Sequence, residues 1–259
     1  KLHLASIWLV SFATAVSAFW ILTANSFMQN PVGYALQNGR AETNDFLAVI
    51  TNPKLLVSFP HTIFAALATG AFFIAGVSAF NFLKKRDIDF YKRSMKIALI
   101  VGLISTVGIA FSGHSQSTYL VEAQPMKMAA AEGLYEDSGD PASWTVWANI
   151  DTDNKEVSGA LEIPYLLSYL SYGEFKGKVE GMNTLQARYE EQFGEGNYIP
   201  PVKTTFWSFR IMVASGGAMI LLSLIGLIYS RRRTIENKTF YLKLMVGAIF
   251  LPYVANTFG

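Results

Sequence analysis

The 259-residue chain contains no cysteine and only three histidines. Without cysteine there is no disulfide framework, no thiolate iron–sulfur cluster and no thioether-linked haem, and the redox compartment stays open. Any histidine-based metal site must draw on His3, His61 or His114. Charge is also scarce: charged residues make up 15% and hydrophobic residues 51%, whereas about a quarter of an ordinary soluble domain is charged. The formal net charge of +2 selects no partner class. No basic patch marks a nucleic-acid surface, and there is no internal repeat or low-complexity tract. An initiator methionine, a basic n-region and a cleavage site are all absent before the first apolar run, and the chain stops at Gly259 inside another such run. Both ends read as cut, and a longer polypeptide is expected.

The apolar residues gather in runs of membrane-crossing length, about 20 residues. Five spans are expected, over residues 4–28, 55–83, 95–112, 206–230 and 239 to the end. Barrel strands of about 10 alternating residues do not produce unbroken runs of this length, so the expected fold is an all-α polytopic membrane protein. Pro60 falls early in the second run, where a first turn or a local kink tolerates it. Residues 84–93 hold five basic and two acidic side chains, and residues 231–238 begin with Arg231, Arg232 and Arg233 and end in Lys238. The positive-inside rule places both loops in the cytoplasm. Residues 29–54 contain only Arg40 and Lys54 as basic groups, and residues 113–203 hold 14 acidic against 6 basic side chains. Both are expected outside, and the alternation is consistent across all five spans. The chain is therefore expected to divide into membrane helices over 1–112, an extracytoplasmic loop over 113–203 and two further helices over 204–259.

A 113–203 connection far exceeds the usual loop length, and loops of that size carry function or are disordered. Gln124-Pro125 followed by an alanine-rich body, Glu132 and Gly133 predicts a short helix with its own stop. Residues 137–158 are turn-rich without a clear period, Ile163-Pro164-Tyr165 is apolar again, and residues 183–193 predict a surface helix.

Arg210 sits in the mouth of the fourth span, where a charge is costly unless it snorkels or finds a partner. Two residues further on is Met212. It lies about six residues inside its span, as His61 does in the second, so both are expected roughly 9 Å deep on one side of the membrane. An imidazole and a thioether at one level are the axial pair of a low-spin haem. Ala65, Ala68 and Thr69 on the face of His61, and Ser208, Ser215 and Gly216 on that of Met212, are small enough to admit a flat macrocycle. The plain alternatives are an interfacial histidine, a gap-filling methionine and small residues packing helix on helix. His3 and His114 are taken as structural, with His114 able to titrate near the outer surface. Ser17 and Asn25 fall within about 80° on the first helix, where they can carry a proton-conducting water file or simply bridge helices. Lys127 and Glu132 are five apart and point away from each other, which on their own reads as two surface charges.

Five patches together resemble subunit I of the cytochrome bd quinol:oxygen oxidases. They are residues 18–31, Phe59-Pro60-His61 with Thr69-Gly70, residues 124–132 (QPMKMAAAE), Ile163-Pro164-Tyr165, and residues 206–212 (FWSFRIM). The resemblance implies that His61 and Met212 are the axial ligands of a low-spin haem b, with Arg210 beside it. It implies that Lys127 and Glu132 bind and oxidise quinol, either ubiquinol or menaquinol, within a short-type quinol loop, and that Ser17 and Asn25 line a proton route. The implied setting is the bacterial plasma membrane and its lipid. The implied partners are subunit II, a small single-helix subunit and further helices of the same subunit that hold a high-spin haem b and haem d. The piece is not expected to reduce oxygen alone. Competing readings are a haem-free transporter or solute-binding subunit, with Arg210, Ser17 and Asn25 along a solute path, and a purely structural membrane scaffold.

Overall fold

The computed structural model describes residues 1–259 and contains five helical segments long and apolar enough to cross a membrane. The chain forms two compact units, residues 1–64 and residues 65–259.

In the first unit, α1 (Leu2–Gln29) leads into an antiparallel hairpin of β1 (Tyr34–Gln37) and β2 (Arg40–Thr43). Asn38 and Gly39 at its tip both have positive φ, 50° and 73°, the backbone that lets a two-residue turn follow the strand twist. A short helix α2 (Phe46–Ile50) is capped by Asp45, whose side chain accepts from the Ala48 amide at 3.0 Å. The fully buried Asn52 ties the turn together by donating to the Asn30 carbonyl at 2.8 Å and accepting from the Lys54 amide at 2.9 Å. Next comes α3 (Pro53–Leu83), which runs unbroken through Pro60 and continues into the second unit.

The second unit contains the rest of α3, then α4 (Ile88–Ala123), α5 (Pro125–Glu132), the hairpin of β3 (Trp144–Asp151) and β4 (Glu156–Ile163), α6 (Leu166–Tyr172), α7 (Met182–Phe193) and α8 (Val202–Arg231). The last span is two helices, α9 (Thr239–Gly247) and α10 (Leu251–Phe258), joined by a 3-10 turn over Ala248–Phe250. One core joins α3, α4, α8 and α9 through Phe72, Phe82, Met95, Leu99, Met219 and Met245. Gly226 has no room for a Cβ there, because the Tyr241 hydroxyl occupies that point while donating to the Leu222 carbonyl at 2.9 Å. A second core, in the long connection, joins α5, β3, α7 and the start of α8 through Met126, Ala130, Ile150, Met182, Leu185 and Phe206.

Among the departures from expectation, two change the elements of the long connection and the fold class. The third span does not stop at residue 112: α4 continues through Gly113 to Ala123, because no proline interrupts it before Pro125. The fold is mostly helical rather than purely so, since residues 34–43 and 144–163 form the two hairpins. The second hairpin occupies much of the stretch that showed no period. Register shifts between Thr145 and Trp147 and between Trp147 and Asn149 break the alternation of β3, and every residue of β4 is exposed. The helices expected over 125–132 and 183–193 are both present, and Gly133 ends the first with φ 70°.

Candidate functional site

Arg210 and Glu132 meet in the structure. They are 78 residues apart and form an ion pair of 2.7 Å between Nη2 and Oε2, with side chains 5% and 1% exposed. Glu132 is the last residue of α5, and Gly133 makes the turn that follows. A Cβ at Gly133 would lie 3.1 Å from Ile150 and from Phe206, so the turn is seated directly on the core beneath it. Arg210 lies in α8, one turn beyond the fully buried Phe206.

Four hydrogen bonds hold the guanidinium. Nε and Nη2 donate to the Thr145 carbonyl at 2.9 and 2.6 Å, and Nη1 donates to the Ala131 carbonyl. Its carbon lies 4.1 Å from the centre of the Phe206 ring, 5.1 Å from Trp144 and 5.4 Å from Phe209. A charge so placed is held by cation–π attraction and by three acceptors, the arrangement a buried guanidinium requires. Burial pushes the Glu132 carboxyl above the ordinary carboxylate range, and the attraction and hydrogen bond of Arg210 oppose that rise. Burial and Arg210 thus act on the Glu132 carboxyl in opposite directions.

Below it, the connection is braced by main-chain contacts. Asp137 accepts from the Gly181 amide at 2.8 Å and from Lys178 Nζ at 3.0 Å, and these bonds, the amide's first, hold its carboxyl down to about 2. The Ser168 hydroxyl donates to the Gly177 carbonyl and accepts from the Ala142 amide, both at 2.7 Å. These bonds tie residues 137–142, on one side of the β3–β4 hairpin, to Ser168 and residues 177–181 on the other.

The other candidates lie elsewhere. Lys127 is exposed on the opposite side of α5 from Glu132, so those two are not brought together. Met212 is half-buried, and its sulfur lies beside Gly259. Within their own helices, Met212 is ten residues from the start of α8 and His61 eight from the start of α3. That corresponds to about 15 and 12 Å of helix, because both helices begin earlier than the apolar runs do. His61 is half-buried. Ser17 and Asn25 are exposed on α1, and Asn25 accepts from Gln29 at 2.6 Å. His3 is exposed; His114 stacks on Tyr169 with ring centres 5.2 Å apart and an interplanar angle of 10°.

Trp144, Thr145, Phe206 and Phe209 complete the site around Arg210 without having stood out as candidates. Phe206 carried a legible signal, being four residues from Arg210 on one helix face, whereas Phe209 is its immediate neighbour in sequence and carried no such spacing. Thr145 acts through a main-chain oxygen and carried none.

Comparison with known proteins gives a consistent result. The family model for cytochrome bd terminal oxidase subunit I matches residues 1–259. The chain is 61% identical over 259 residues to cytochrome bd ubiquinol oxidase subunit 1 of Bacillus subtilis (strain 168), an alignment covering 100% of this chain and 55% of that one. To cytochrome bd-II ubiquinol oxidase subunit 1 of Escherichia coli (strain K12) it is 29% identical, over 99% of this chain and 61% of the relative. The solved structure of bd oxidase from Geobacillus thermodenitrificans superposes with a TM-score of 0.85 at 27% identity, covering 100% of this chain and 57% of that chain. The chain thus spans little more than half the length of these proteins. None of these matches supports a transporter.

Proposed function

The chain belongs to the cytochrome bd terminal oxidase subunit I family, and from that premise we propose that it is the electron-entry part of a quinol:oxygen oxidoreductase of the bacterial plasma membrane. In this reading residues 113–203 are an extracytoplasmic quinol loop between membrane parts 1–112 and 204–259, and the basic loops 84–93 and 231–238 face the cytoplasm. The rest of the subunit, with a high-spin haem b and haem d, together with subunit II and a small single-helix subunit, completes the oxidase. The observation that carries the reading is the buried Arg210–Glu132 pair, which joins the loop to the helix that holds Met212.

Glu132 is the proton acceptor for quinol, whether ubiquinol or menaquinol. Burial makes its carboxylate a stronger base than a surface glutamate, and Arg210 keeps it anionic until a hydroxyl proton arrives. Lys127, exposed on the same short helix, orients a ring oxygen from outside. His61 and Met212 would hold a low-spin haem b. Their nitrogen and thioether donors suit that iron, and beside Gly216, one turn from Met212, a Cβ would meet no atom within 4 Å, room that a flat ring needs. When bound, the haem supplies one-electron acceptance. Arg210 steadies the charge of that region, and Ser17 and Asn25 line a proton route on α1.

The test uses the complete oxidase. Glu132→Gln and Lys127→Ala are expected to lower the quinol oxidation rate by about tenfold or more with normal haem content. His61→Ala and Met212→Leu are expected to remove the low-spin haem b band from the reduced-minus-oxidised spectrum. Unchanged kinetics in the first two, or a retained band in the second two, overturns the corresponding assignment.

A further inference from the structure

The long connection also holds a cleft of about 880 Å³ that the reading above does not use. Three segments build it: the turn of the β3–β4 hairpin with Lys155, the loop between α7 and α8 with Asn197, and the first turn of α8 with Lys203 and Thr204. One wall is held in place by Gln186 of α7, which donates to the Gly196 carbonyl at 2.6 Å and accepts from the Tyr198 amide at 2.9 Å. Tyr135 lines the cleft as well. It is only 5% exposed, its ring packs in the second core, and its hydroxyl has no hydrogen-bond partner in the protein. What surface it keeps opens into the cleft.

The groups left over around this cleft are donors. The first turn of a helix has amides with no intrahelical partner. Pro201, at the cap position of α8, has no side chain to satisfy them, and the first turn carries no acidic residue to offset the positive helix end. Lys155 and Lys203 are exposed, and neither belongs to any of the ion pairs in the protein. The carboxylates close by are already served. Glu190 accepts from Gln186 at 2.7 Å, and Asp151 accepts from the Asp153 and Asn154 amides at 3.0 and 3.1 Å and from the Asn154 side chain at 2.9 Å. Donors spread over three segments suit an anion with several oxygens better than a halide, which offers a single centre. We propose that the cleft binds a phosphate-class oxyanion, held by Lys155, Lys203, the Tyr135 hydroxyl and the first-turn amides of α8. Val202 is four residues before Phe206, where the apolar run begins, so the cleft lies about 6 Å along the helix from the start of the span. A phospholipid headgroup and free phosphate both carry the required chemistry at that level. Bound there, the anion joins the hairpin turn to the start of α8. The site stands apart from the assignments of Glu132 and Lys127, and neither depends on the other.

The test follows hydrogen exchange at residues 151–156 and 202–204 in the complete oxidase. In lipid-stripped enzyme in detergent, inorganic phosphate is expected to slow exchange in both segments, whereas chloride at equal ionic strength is not. Phosphate-free nanodiscs of phosphatidylglycerol then separate the two sources. Exchange that is already slow there and unaffected by added phosphate identifies the lipid headgroup as the occupant, and exchange slowed only by added phosphate identifies the free anion. These measurements need no variant. Lys155→Gln combined with Lys203→Gln is expected to weaken phosphate binding more than tenfold. Tyr135→Phe, which keeps the ring in the core and removes one donor, is expected to weaken it about tenfold, the range of one hydrogen bond to a charged group, with the haem spectrum and quinol oxidation unchanged. Exchange that neither phosphate nor lipid alters, or that chloride slows equally, overturns the proposal. Equal phosphate affinity in the unmutated enzyme and both variants overturns it too.

Discussion

Arg210–Glu132 and Lys92–Glu236 each tie together segments far apart in sequence, at 2.7 and 2.9 Å, yet they sit in opposite environments. The first has side chains 5% and 1% exposed, and the second 40% and 23%. Their carboxyl groups respond in opposite directions. Burial pushes Glu132 up, whereas the hydrogen bond from Lys92 pulls Glu236 down. A surface pair of the second kind contributes little to stability and is readily lost. A buried pair of the first kind gains little over a well-packed apolar replacement but is costly to break by halves. The contrast separates a brace from a buried pair: one joins the start of α4 to the turn over residues 235–237, and the other holds a carboxyl that burial raises above its ordinary range.

Removing one partner of the buried pair is the most severe way to test that contrast. Arg210→Leu is expected to destabilise the 125–163 region by about 3–5 kcal/mol, because it strands a buried carboxylate. The measurement is urea-dependent proteolysis of that segment in the complete oxidase. The double change Arg210→Leu with Glu132→Leu is expected to recover most of the stability and none of the quinol oxidation. If the double variant were as unstable as the single one, the pair would be structural.

A pH titration sharpens the comparison with a smaller effect. Carboxyl infrared bands assigned through Glu132→Gln and Glu236→Gln are expected to titrate on opposite sides of the ordinary value of 4.5, Glu132 above it and Glu236 below. The signs for stability follow. The contribution of Glu132 is complete below 4.5 and lost as pH rises through its raised value. That of Glu236 is present above 4.5 and lost as pH falls through its lowered value. Both bands moving in one direction would remove the distinction. The smallest effect is expected for Lys92→Ala, within about 1 kcal/mol of the unmutated protein when urea-dependent proteolysis is followed at residues 231–238.

The five spans were legible because an apolar run of bilayer length admits few other folds. The extension of α4 past residue 112 was not, since hydropathy marks where a helix leaves lipid and not where it ends. The short helix over residues 125–132 was legible from Pro125 and Gly133, which act locally. The hairpin over 144–163 was hidden by the irregular register of β3 and by the full exposure of β4. Within the site, Arg210 drew notice because a charge at a span's mouth is expensive. Its partner Glu132 did not read as a partner, because spacing within α5 says nothing about a helix 78 residues away. Main-chain acceptors such as the Thr145 oxygen have no side-chain signature at all.

α4 is a single 36-residue rod that ends at Ala123, one residue before the helix that carries Glu132. At 1.5 Å per residue it is about 54 Å long, well beyond the roughly 30 Å of hydrocarbon that a span must cross. Mechanically it is a lever, and a tilt of about one degree about its far end moves its tip by about 1 Å over that length. Hydrogen-bond lengths around Arg210 tolerate a few tenths of an ångström. The packing of α4 along α8, which sets the lean of that rod, therefore also sets where the helix carrying Glu132 begins.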